Sequence, residues 1–98
     1  MKVRFELKEE QEYTLIHFKL KENISPKILK DLKAPIVNPR KGVILSGRGP
    51  IWLYSYLVHY YHPTLFIATY DPRLGAVVIE SHTPKYEVGN IIKVNINV

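Results

Sequence analysis

Ninety-eight residues, 46% of them hydrophobic and 23% charged, describe a single globular domain spanning 1–98, with no length left for a second one. No apolar run approaches the ~18–20 residues needed to cross a bilayer, and the absence of cysteine excludes a disulfide scaffold and thiolate-bound zinc. The net charge is +5, and its excess lies between Lys19 and Lys41, where seven basic residues accompany two acidic ones; such a segment suits either a solvated face or a polyanion.

Val3, Phe5 and Leu7 alternate with charged residues, which predicts an opening strand instead of a signal sequence. The chain is therefore expected to be cytoplasmic, with no membrane partner. Tyr13 to Leu20 alternates again and predicts the antiparallel partner of the first strand. Ser25-Pro26 has the chemistry of a helix start, an N-cap oxygen followed by proline at N1, and Ile28, Leu29 and Leu32 supply an apolar stripe before Pro35. Gly42 to Ser46 lacks polar alternation and predicts a central strand covered on both faces. Pro50 then opens a helix that runs to about His62 and closes at Pro63. Leu65 to Tyr70 and Ala76 to Ser81 form strands joined by the turn Asp71-Pro72-Arg73-Leu74-Gly75, and Ile92 to Val98 forms a last one with a wet face. The order β-β-α-β-α-β-β-β predicts a small α/β domain with a mixed β-sheet.

Between residues 42 and 79 the only formal charges are Arg48, Asp71 and Arg73. Ser46-Gly47-Arg48-Gly49 lies where a buried strand hands over to a helix, so free backbone N–H groups and a guanidinium can hold an anion there. The same glycines also suit a plain turn. Asp71 and Arg73 are expected at the same carboxyl edge of the sheet, either around a phosphodiester and a metal or as an ordinary Asp-Pro turn. His59 and His62 share a helix face with Trp52 and Ser55, where they can bind a divalent metal or move protons. His17 is expected to be structural, and His82 is open. Tyr54, Tyr56, Tyr60, Tyr61 and Tyr70 suit core or interface packing, or stacking on bases. A helix from Pro50 to His62 is ~20 Å long, which puts His62 at the far edge from Arg48 and Asp71. One substrate touching all three then needs two protomers, head to tail.

These motifs together, Thr14-Leu15-Ile16-His17-Phe18, Gly42 to Leu53, His59 with His62, Tyr70 to Val78, and Ser81-His82, resemble those of the small manganese-dependent ring nucleases of type III CRISPR systems. The resemblance covers about residues 13 to 82. It implies a Rossmann-like fold and a homodimer, stacking to a tetramer or filament, that sandwiches its ligand. It also implies cleavage of cyclic tetra-adenylate to linear di-adenylates, which switches off antiviral signalling. By motif position, Ser46, Gly47 and Arg48 would bind the ring, with Gly49 in the same loop, and His62, Asp71 and Arg73 would act in cleavage; from residue chemistry, Asp71 is expected to hold manganese, with His59 as a further metal candidate. Single-stranded RNA 3′ ends are a second substrate implied by the family, through a deadenylating exonuclease activity. A module that binds cyclic oligoadenylate without cutting it is the alternative.

Overall fold

Two cross-strand contacts set the first hairpin. Phe5 faces Phe18 and Leu7 faces Ile16, so β1 (Val3–Glu9) and β2 (Tyr13–Leu20) pair antiparallel and present one apolar face. The computed structural model describes residues 2–96. The all-apolar run becomes β3 (Gly42–Ser46), buried at every position and parallel to both β2 and β4 (Phe66–Asp71). β5 (Gly75–Ser81) returns antiparallel after the Asp-Pro turn, and the two-residue β6 (Ile91–Ile92) closes the far edge. Strand order in the sheet is β1-β2-β3-β4-β5-β6. The last strand is shorter than expected: beyond Ile92 the chain lies over the sheet without pairing, and residues 97–98 fall outside the described residues.

The Rossmann-like α/β class does not hold. A six-stranded mixed sheet carries one α-helix, α1 (Ile51–Tyr60), and the other expected helix is a five-residue 3-10 turn, Pro26–Lys30. Ser25 caps that turn as expected, accepting the Lys27 N–H at 3.2 Å. Only eight residues separate Pro26 from Pro35, too few to offset the cost of nucleating an α-helix. The strand order also never reverses, so there is no switch-point crevice of the doubly wound kind.

Both crossovers run over one face of the sheet. There Leu53, Leu57 and Tyr61 of the α1 segment pack with Ile16, Phe18, Val43, Leu45 and Ile67, flanked by Ile28, Leu29 and Leu32. Among the described residues, the second face has no helix. Leu15, Ile44, Phe66, Ala68, Ala76 and Val78 are covered there by half-buried Tyr86, Ile92, Val94 and Ile96. Among the described residues, no helix is long and apolar enough to cross a membrane.

Candidate functional site

The carboxyl edge of β3 and β4 carries the glycine loop. Ser46 is 2% exposed and its Oγ lies 3.1 Å from His17 Nδ1 across the paired strands. Gly47 has φ +137°, and a Cβ there would stand 2.4 Å from the Phe18 carbonyl oxygen, so only glycine fits without displacing β2. Tyr54 of α1 donates its hydroxyl to the Gly47 carbonyl at 2.6 Å and fixes the loop from the helix side. Arg48 is exposed beside a cavity of about 440 Å³ that His17 and Lys19 also line. α1 has no side-chain cap and no acidic residue in its first turn, so no carboxylate offsets the positive end of its dipole there.

Asp71 reaches the same edge. It shares the wall of a cavity of about 650 Å³ with Gly49, Tyr54, Ser55 and Tyr70. Asp71 Oδ1 accepts the Arg73 N–H at 2.7 Å and lies 3.7 Å from Arg73 Nε. The backbone N–H of Arg73, followed by its guanidinium charge, holds the Asp71 carboxyl below the usual range. The expected grouping of Ser46, Gly47, Arg48, Gly49, Asp71 and Arg73 at one edge therefore exists, with Asp71 also doing the work of an Asp-Pro turn.

His62 lies at the opposite edge. The His62 N–H donates to His59 O at 3.2 Å, and the Thr64 hydroxyl caps Tyr61 O at 2.7 Å, so Pro63 ends the helix with His62 at the entrance to β4. β4 is six residues long, which at ~3.3 Å per residue separates that entrance from Asp71 by roughly 17–20 Å. The distance expected from the helix length is thus present in the strand as well.

A third residue group joins His62 there. His62 Nδ1 contacts Glu80 Oε1, His82 Nε2 lies 3.4 Å from the same carboxylate oxygen and 3.1 Å from the His62 carbonyl, and the two imidazoles meet edge to face at 5.4 Å. Their ligand atoms lie within 4.8 Å of one another. Two imidazole nitrogens and a carboxylate oxygen suit manganese, iron or zinc. His59 and Asp71 are not part of this group.

Glu80 reaches His62 through a bulge. The ladder shifts between Ile67 and Ala68, so Glu80 pairs with Ile67 while Val78 pairs with Ala68. Partners share a face, and Ile67 belongs to the core under α1, so Glu80 is turned to the helix side where His62 emerges. His82 is anchored by its N–H to Leu65 O at 2.8 Å. Glu80 is not among the residues that the motifs single out; its one signal in the sequence is an acid in an otherwise apolar strand, two residues before a histidine.

A family profile described as CRISPR-associated protein (Cas_csx3) matches residues 17–93. An uncharacterized protein of Aquifex aeolicus (strain VF5) is 51% identical over 85 residues, covering 82% of this chain and 77% of that protein. The matched span takes in the glycine loop, the Asp71 turn and the His62–Glu80–His82 group alike, and on that match the chain belongs to the CRISPR-associated Cas_csx3 family.

Proposed function

We propose that this chain is a metal-dependent phosphodiesterase that opens cyclic tetra-adenylate to linear di-adenylates and so ends a type III CRISPR signal. The observation that carries this reading is the division of its functional groups: anion-binding residues at one edge of the sheet and a His-Glu-His group at the other, a strand's length apart. Stacking two protomers head to tail closes one edge of each on the opposite edge of the next, with a ring-shaped ligand between them.

His62, Glu80 and His82 would hold manganese, whose donor preferences they fit; Asp71 of a neighbouring protomer stacked head to tail, or His59, would add a further donor. When bound, the cation supplies charge stabilisation at phosphoryl oxygen. Arg48 and Arg73 bind phosphate charge, and the N–H groups of the Gly47–Gly49 loop and of the α1 N-terminus orient it. Asp71 holds the Arg73 turn in place. With one nitrogen on the cation, the other His62 nitrogen carries a proton and no lone pair, so its part at the ribose 2′-OH or the leaving oxygen would be to donate a hydrogen bond.

Protein incubated with cyclic tetra-adenylate, with and without manganese, and resolved by chromatography tests this reading. Manganese-dependent di-adenylates that disappear in His62→Ala support it. A ring that stays intact but co-elutes with the protein means a binding module instead. That second reading is favoured by Asp71, whose hydrogen bonds suit a turn without any catalysis.

A further inference from the structure

The strand next to the glycine loop carries two groups that the proposed chemistry leaves unused. His17 pairs with Ser46 in register across β2 and β3, with Nδ1 3.1 Å from the buried hydroxyl. Lys19, on the same face of β2, opens with His17 and Arg48 onto one cavity of about 440 Å³. The Phe18 carbonyl between them lies where a Cβ at residue 47 would stand, so β2 and the loop approach as closely as glycine allows.

We propose that the end of β2 is the second wall of the phosphate site, where Lys19 is a fixed cation and His17 takes up a proton when a phosphodiester binds beside Arg48. The proposal rests on the reading of residues 46–49 as an anion loop.

The charges around His17 favour this coupling. Glu6 is its register partner on β1, with Arg4 and Lys8 on either side of Glu6 along the same face; Lys19 lies on its own strand and Arg48 on the loop. Glu6 is already shared between Lys19 at 3.4 Å and Arg4 at 3.7 Å, so the surroundings are cationic overall. Burial, and then Lys19, hold the His17 imidazole below its ordinary value, against the smaller pull of Glu6. The free protein therefore keeps His17 neutral near neutral pH, and an arriving anion reverses the balance. Protonation does not break the contact with Ser46, because a hydroxyl donates to neutral Nδ1 and accepts from Nδ1–H equally well. Anion affinity then rises as pH falls.

The test is binding of cyclic tetra-adenylate without added metal, from about pH 8 to about pH 5.5, for the wild-type chain and for His17→Asn, which preserves a polar partner for Ser46 but cannot charge. Wild-type affinity should rise about three- to tenfold toward acid, and the variant should flatten that profile. NMR of the wild-type chain gives a second readout independent of the variant's folding: adding the ring should move the His17 titration midpoint upward. An equal acid gain in both proteins, or a His17 midpoint that the ring leaves in place, overturns the inference while the loop reading stands. Absence of ring binding at every pH overturns the loop reading and the inference together.

Discussion

Glu80 stands opposite Ile67, and not opposite Phe66, because the β4–β5 ladder accommodates one extra residue between Val78 and Glu80. That single slip keeps the carboxylate on the helix side of the sheet, against His62. Glu80→Gln and His82→Ala should each weaken manganese binding by about 10–100-fold, as loss of a ligand or its close partner does elsewhere. Calorimetric titration of manganese into each variant measures this, and wild-type affinity in both would remove the group from consideration as a metal centre.

His62 and Asp71 occupy opposite ends of β4, so a site that needs both is shared between protomers. His62→Ala and Asp71→Ala should each abolish ring cleavage alone. Mixed after dissociation and reassembly, they should recover activity at up to about a quarter of interfaces, those pairing an intact edge from each variant. No recovery in the mixture, with both variants still assembling, would falsify the head-to-tail site.

Gly47→Ala should be among the most damaging small substitutions. Its backbone lies in the left-handed region, and a Cβ would meet the Phe18 carbonyl oxygen at 2.4 Å. A cost of about 1–3 kcal/mol follows from the strain, and ring binding should fall with it because the loop must shift. Urea unfolding measures the first effect; a midpoint equal to wild type contradicts the close packing of β2 on the loop.

Tyr61 ties the helix end to the loop that precedes β3, donating its hydroxyl to Pro35 O at 2.7 Å while the ring is buried. Burial pushes its phenol far above the ordinary value, so it remains a donor at any working pH. Tyr61→Phe removes the donor and leaves the carbonyl without it, which should lower stability by about 1 kcal/mol. An unchanged denaturation midpoint counts against that bond.

Stability should fall as the solution is acidified, in two stages. His17 has a depressed native value, so the unfolded chain binds its proton first, and stability declines as pH falls below about 6.5. Glu9, held down mainly by its hydrogen bond from Lys41 and then by Thr14, and Asp71, held down by the Arg73 N–H, are depressed as well. Their contribution is present above the ordinary carboxylate values of 4.5 and 3.8 and is lost as pH falls through the lower native ones. Lys41→Met should reduce the slope in the second stage only. A slope unchanged by that substitution would show that the Glu9 contact contributes nothing in solution.

Local pattern was enough for five strands and α1, but not for the 3-10 turn or the short β6. Alternation identified β1 and β2, an unbroken apolar run identified β3 as central, and Pro50 and Pro63 bracketed α1 to within two residues. The same local chemistry placed the glycine loop and the Asp71 turn at one edge and His62 at the other, since a helix or strand has a fixed rise per residue. The fold class was not legible in this way. Whether Pro26–Lys30 becomes an α-helix or a 3-10 turn depends on chain length between two prolines and on what it packs against, and the sequential strand order depends on both crossovers using one face.

The amino-acid sequence by itself therefore determined the first five strands, where they turn, and which residues stand at each end of the sheet. The tertiary structure alone decided that Glu80 and His82 join His62, and that His17 meets Ser46. The physical reason is register: which residues oppose one another across strands distant in sequence is set by how the whole sheet packs, and a one-residue bulge, invisible to periodicity, decides which face a carboxylate shares.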